Sequence, residues 1–182
     1  MSKKKIAVLI GSLRKESYNR KVANQLIDLA SESLELEIVE IGQLPHYNED
    51  LEQDVPKEYT EFREKIKSFD GFLFVTPEYN RLVSGVLKNA FDVGSRPYGQ
   101  SVWGGKPGGV VSVSMSAIGG FGANHAVRQS MVFLNVYMMQ QPEAYIGAAH
   151  TLFDDSGNLT NDSTREFLKN YIDAYETWVN KF

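Results

Sequence analysis

Four side chains able to hold an anion crowd into nine residues: Ser12, Arg14, Ser17 and Asn19 in "GSLRKESYN" (11–19). The stretch follows the apolar run "KIAVLI" (5–10) and precedes residues with helical spacing. It marks the step from a strand into a helix. A helix N-terminus presents free backbone N–H groups and a partial positive charge, so it favours an anion. Ser12 and Ser17 add hydroxyl donors, and Arg14 adds a permanent cation that can fork onto phosphate oxygens. Asn19 can donate from its amide, and Gly11 lets the chain turn sharply. The set suits a terminal phosphate monoester. It is not a Walker-type loop, because no lysine–serine pair follows a glycine at the required spacing. Nor is it G-x-G-x-x-G, so a dinucleotide pyrophosphate fits this loop poorly. The plainer alternative is a capped turn whose arginine extends into solvent.

A second cluster, "TPEYNRLVSGVLKN" (76–89), continues the apolar run "GFLFVT" (71–76). Pro77 stiffens the chain and leaves Glu78, Tyr79 and Asn80 on an exposed loop. Backbone N–H groups of such a loop can bond a flat heteroaromatic ring, and Tyr79 can cover its face. Taken alone, a polar turn with one surface tyrosine explains it better. In "SVSMSAIGGFGANH" (112–125), Ser114 and Ser116 can reach the far edge of a ring, and Gly119, Gly120 and Gly122 permit close approach. A flexible glycine-rich loop is the alternative there. A phosphate at one strand end and a ring at the next describe a mononucleotide. His46, His125 and His150 are scattered without ligand spacing, which points to surface or structural roles.

The elements that must position these residues alternate. Strands are predicted at 5–10, 36–41, 71–76, 110–115 and 142–147. Two glutamates in "LEIVEI" suit a sheet edge. Helical segments are predicted from Ser17, over 57–69, 83–95 and 119–136, and from Ser163, where Ser163 and Glu166 have capping-box spacing. "PHYNEDLEQDVP" (45–56) is a polar loop. Strands alternating with helices imply right-handed crossovers and a parallel sheet. The predicted fold is α/β, doubly wound and three-layered: one domain over 1–182, with five parallel strands in the flavodoxin-like order 2-1-3-4-5 and helices on both faces. In such a sheet, ligands sit beyond the carboxyl ends of the strands, and the ends of strands one and three adjoin the switch point.

Composition narrows the chemistry. Cysteine is absent, which removes disulfides, thiolate metal sites and cysteine nucleophiles, including those of phosphatases. The formal net charge of −4 disfavours nucleic acid as a partner. No apolar run approaches the roughly 20 residues of a membrane span. The basic start "MSKKK" reads as a solvated tail rather than a secretory leader, so a cytoplasmic protein is expected.

The stretches "GSLRKESYNRKVA", "TPEYNRLVSGVLKNAFD" and "GKPGGVVSVSMSAIGG" together resemble the NADPH-dependent FMN reductase family. The likeness runs from residue 5 to about the final helix. It implies bound FMN, with NADPH (or NADH) as co-substrate. Hydride would then pass through FMN to flavin, quinone, azo-dye or chromate-like acceptors. By the same resemblance, Ser12, Arg14, Ser17 and Asn19 hold the FMN phosphate. Pro77, Glu78, Tyr79 and Asn80 line the isoalloxazine, with Ser114 at its other side. The flavin carries the redox chemistry, so no catalytic side chain is named. A homodimer or homotetramer is implied, with Arg128 and Glu143 at subunit contacts or, alternatively, in a surface ion pair. "RPYGQSVWGG" (96–105) departs from the family pattern and is expected at a subunit contact or substrate mouth. Two rivals stand beside the enzyme. One is a flavodoxin-type FMN electron carrier without its own NADPH activity. The other is a receiver-like domain, which would need clustered acids at the strand ends to hold magnesium.

Overall fold

The computed structural model describes residues 3–182. Strand β1 (Lys4–Ile10) buries its last five residues completely or nearly so, because both sheet faces are covered. It pairs in parallel with β2 (Leu34–Val39) on one side and β3 (Gly71–Thr76) on the other. Strand β6 (Pro107–Val113) pairs with β3. The hairpin β4 (Glu78–Tyr79) and β5 (Leu82–Val83) stands apart from this sheet. The fifth lane beside β6 is shared by two short strands. β7 (Tyr137–Met138) pairs with the start of β6, and β8 (Ala144–Ile146) pairs with its end. The sheet order is therefore β2-β1-β3-β6 followed by β7 and β8, which is the expected 2-1-3-4-5 with a divided last lane.

Among the described residues, five helices cover the sheet: α1 (Tyr18–Leu29), α2 (Lys57–Lys67), α3 (Gly85–Gly94), α4 (Phe121–Phe133) and α5 (Asp162–Val179). Alternate residues of β1 face two separate cores. Ile6, Val8 and Ile10 pack under α1 and α5, and Ala7 and Leu9 pack under α2, α3 and α4. On the first face, Tyr171 donates to the Val110 carbonyl (3.1 Å) and Tyr175 to the Phe72 carbonyl (2.7 Å). Burial pushes both phenols well above the usual tyrosine range. The rings fit because Gly109 lies beneath them, where a Cβ would stand 2.8 Å from the Tyr171 hydroxyl.

Several local expectations change. α5 is capped by Asn161, whose side-chain oxygen accepts from the Thr164 N–H (2.9 Å), and Ser163 instead donates its hydroxyl to that oxygen (2.8 Å). The helix predicted over 119–136 stops at Phe133, because Asn135 takes a left-handed φ of 58° and sends the chain into β7. The predicted loop 45–56 contains a short 3₁₀ turn at Glu49–Gln53. At the basic start, Met1 and Ser2 lie outside the described residues, Lys3 is exposed, and Lys4 and Lys5 already belong to β1.

The stretch 96–105 is a connection between two elements. It joins the end of α3 to the start of β6, at the end of the sheet away from the strand C-termini. Trp103 is fully buried there, packed on Phe62, Phe72 and Phe91, and its indole N–H donates to the Phe91 carbonyl (3.0 Å). Arg128 and Glu143 form no ion pair with each other. Arg128 donates to Asn124 and to the Met139 carbonyl, whereas Glu143 accepts from the Tyr145 hydroxyl (2.7 Å). Burial, reinforced by that hydrogen bond, leaves the Tyr145 phenol pushed up to about 12. Among the described residues, no helix is long and apolar enough to cross a membrane.

Candidate active site

Beyond β1, the Gly11 N–H donates to the Val75 carbonyl (2.9 Å), so the loop to α1 leaves the sheet alongside the end of β3. Ser17 caps α1. Its hydroxyl oxygen accepts from the Arg20 N–H (3.3 Å) and its carbonyl accepts from the Lys21 N–H (3.0 Å). That use of the oxygen leaves the hydroxyl proton free to donate. It also leaves the N–H groups of Tyr18 and Asn19 without a protein partner among the described residues. The first turn carries no acidic side chain that could compete for an anion. Ser12, Ser17 and Asn19 are buried, and the Asn19 side-chain oxygen has no hydrogen-bond partner among the described residues. Arg14 is exposed, sits over the Tyr18 ring at 6.0 Å, and makes no ion pair among the described residues.

Beyond β3, residues 78–83 fold into the β4–β5 hairpin rather than an open loop. Asn80 and Arg81 form its tip with φ of 51° and 67°. Two left-handed residues give the turn whose twist matches the flanking strands. The Glu78 carboxylate turns inward, with its side chain only 10% exposed. It accepts from the Ala123 N–H (3.1 Å) in the first turn of α4 and pairs with Arg81 (3.2 Å). The residue before α4, Gly120, has no side chain to cap it, so Glu78 supplies the missing acceptor.

Beyond β6, Ser114 donates its N–H to the Ile146 carbonyl (2.9 Å), and its hydroxyl oxygen accepts from the Ser116 N–H (3.1 Å). Buried Ser112 donates to the Gly119 carbonyl (2.7 Å), and buried Asn124 donates to the Ala144 carbonyl (3.1 Å). These two bonds tether the loop after β6 and the start of α4 to the sheet.

The three strand ends enclose a cleft of about 120 Å³. Ser12, Arg14, Ser17, Asn19, Pro77, Glu78, Tyr79 and Ser114 all line it. Asn80, at the hairpin tip, is not part of this lining. Tyr18, Val113 and Met115 also line the cleft, although nothing in their residue types announced it. Tyr79 and Met115 form an exposed apolar rim. A larger groove of about 530 Å³ lies between β2 and α2. It carries Glu40, Glu58 and Glu61 against a single lysine, which disfavours an anionic ligand.

The residues of the cleft fit FMN. An unpartnered buried oxygen on Asn19 can accept from a ribityl hydroxyl. The helix start, two serines and an unpaired arginine suit a phosphate, and the apolar rim suits a ring. Comparison with known proteins agrees. The sequence pattern of the NADPH-dependent FMN reductase family matches residues 4–151. A quinone reductase of Pseudomonas putida is 66% identical over 96% of this chain and 94% of that protein. A 2-hydroxy-1,4-benzoquinone reductase of a Burkholderia species is 45% identical over 96% of each. The solved structure of FerB, a flavoenzyme NAD(P)H:(acceptor) oxidoreductase from Paracoccus denitrificans, superposes with a TM-score of 0.91 at 40% identity and covers 98% of each chain. The chain belongs to the NADPH-dependent FMN reductase family and is an oxidoreductase that works with FMN and NAD(P)H.

Proposed function

We propose that the cleft holds FMN with its phosphate at the start of α1 and that quinones are the electron acceptors. The observation that carries the reading is the convergence, in one cleft, of the uncommitted N–H groups of α1, unpaired Arg14 and the rim of Tyr79. FMN bound there would supply the redox chemistry, two-electron transfer between NAD(P)H and the acceptor. Arg14 and the hydroxyls of Ser12 and Ser17 neutralise and orient the phosphate. Asn19 joins them through its N–H in the first turn of α1, and its side-chain oxygen is placed to accept from a ribityl hydroxyl. Pro77, Glu78 and Tyr79 set one side of the ring and Ser114 the other, with Glu78 held by Ala123 and unable to swing away. Asn80 acts from outside the cleft by shaping the hairpin turn that presents Tyr79. The open rim of Tyr79 and Met115 would leave room for a nicotinamide and for a flat acceptor.

Two relatives named for quinone reduction support the acceptor class. The test is steady-state oxidation of NADPH and NADH by FMN-loaded protein with benzoquinone, an azo dye, chromate and free FMN compared side by side. Quinone turnover fastest by kcat/KM is the expected result, and NAD(P)H oxidation without a preference for quinone would overturn it. We also infer a cytoplasmic location, where NAD(P)H is at hand, and a homodimer or homotetramer. Ile118, Phe121, Val132 and Phe133 expose large apolar side chains of the kind that mark contacts between subunits.

A further inference from the structure

The hairpin that carries Tyr79 has little of its own to hold it. Strands β4 and β5 are two residues each, pair with one another and stand apart from the main sheet. A ribbon of that size does not keep its place unaided. Its main neighbour is α4, and two features of the first turn of that helix make the fit. The Ala123 N–H donates to Glu78 (3.1 Å), which tethers the start of the hairpin. One residue earlier, Gly122 leaves the helix surface bare, and the hairpin backbone fills the space. A Cβ on Gly122 would stand 2.6 Å from the Arg81 carbonyl oxygen and 3.0 Å from the Glu78 carboxylate. That carbonyl belongs to the backbone of the turn and cannot swing aside as a side chain could. Nothing in the helix itself asks for glycine here. Gly122 is helical and is not among the residues with positive φ, and glycine weakens a helix relative to alanine.

We infer that Gly122 is a positioning residue for the reaction: by leaving the start of α4 bare, it seats the hairpin so that Tyr79 stands at the mouth of the cleft. That role rests on the flavin reading, with the FMN ring beside Tyr79. Tyr79 pairs with Leu82 across the hairpin, and Arg81 belongs to the turn that joins them. A shift of the Arg81 carbonyl therefore moves the strand end that bears Tyr79. Glu78, which also lines the cleft, is tied to the residue after Gly122 and moves with it. A methyl group at position 122 lifts the turn off α4 and draws Tyr79 away from the ring. The glycines of this stretch make their close approaches to protein rather than to a ligand. A Cβ on Gly119 would stand 2.7 Å from the Tyr145 backbone, one on Gly120 would stand 3.0 Å from the Ser112 side chain, and Gly122 meets the hairpin.

The test compares the unmodified protein, Gly122→Ala, Tyr79→Ala and the two substitutions combined, all loaded with FMN. A phenol held against a flavin ring quenches its emission, so the fluorescence of bound FMN reports where Tyr79 stands without any turnover. KM and kcat with benzoquinone are measured beside it, and melting temperature is recorded for every variant. Tyr79→Ala should raise the emission and raise KM about threefold to tenfold, as expected for losing one aromatic contact. Gly122→Ala should do the same with kcat within about twofold, and the combined variant should go no further than Tyr79→Ala alone. Val127→Ala, in the core one turn further along α4, lowers stability without adding bulk at the seat, and should leave emission and KM as in the unmodified protein. Glu78→Ala frees the hairpin without adding bulk and should shift both readings in the same direction, which carries the test if Gly122→Ala does not fold. Emission and KM unchanged in Gly122→Ala, additive effects in the combined variant, or the same shift in Val127→Ala would each overturn the inference. A Tyr79→Ala variant that moves neither reading would instead sink the placement of the flavin ring, and the role of Gly122 with it.

Discussion

Removing the Arg14 guanidinium tests the phosphate assignment most directly, because among the described residues Arg14 has no carboxylate partner to strand. Its loss should therefore appear in ligand affinity and leave folding stability nearly unchanged. A hydrogen bond to a charged group is worth about 1.5–3 kcal/mol. Arg14 is exposed, so solvent screening sets the effect near the lower figure. At about 1.4 kcal/mol per decade, Arg14→Ala should weaken FMN roughly tenfold. Riboflavin supplies the control: it has the same ring and ribityl chain without the phosphate, so its affinity should move less than about twofold. Both dissociation constants are read from quenching of flavin fluorescence at low and high salt. The FMN penalty should shrink as ionic strength rises. Equal weakening of FMN and riboflavin, or no change for FMN, would refute the placement of the phosphate at Arg14.

Glu78 offers a stability test of the cap it provides to α4. Glu78→Gln keeps an acceptor for the Ala123 N–H but loses the charge at the helix start, a cost of about 0.3–1 kcal/mol. Glu78→Ala leaves that N–H unpaired and should cost about 1–3 kcal/mol in urea unfolding; an Ala variant as stable as the parent would contradict the cap. Tyr145 sets an alkaline limit. Its phenol is pushed up to about 12 in the folded chain from an ordinary value of 10.0, so the native state holds the proton more tightly. Its contribution is complete below pH 10 and is lost as pH rises towards 12. Tyr171 and Tyr175 act in the same direction. Absorbance at a tyrosinate wavelength should therefore show these rings ionising late, together with unfolding, and a Tyr145→Phe variant should show a shallower alkaline loss of melting temperature.

The sheet was legible because its strands are runs of branched apolar residues, such as "IAVLI" in β1, that have no reason to exist except to be covered on both faces. The first site loop was legible because hydroxyls, an arginine and an asparagine at the end of a buried strand have few other uses. The rest was hidden for physical reasons. Strands of two residues, as in β4, β5 and β7, are too short to show a period. The left-handed pair Asn80–Arg81 lacks the glycine that usually signals a hairpin turn. Trp103 sits among glycines and a lysine, a composition typical of surface loops, and only the tertiary fold reveals the space it fills. The work of Glu78 could not be read locally, because its partner Ala123 lies 45 residues away.

The divided last lane also bears on how the molecule behaves in crowded solution. A long bare border of a sheet invites other chains to add to it. Here that border is interrupted: two residues in β7, then a gap, then three in β8. The opposite border, β2, exposes Glu35 and Glu37, and Glu37 is held by Lys65 at 2.7 Å. One rim is broken and the other is guarded by charge, so concentrated preparations should resist amyloid even though the interior strands are rich in branched and aromatic residues.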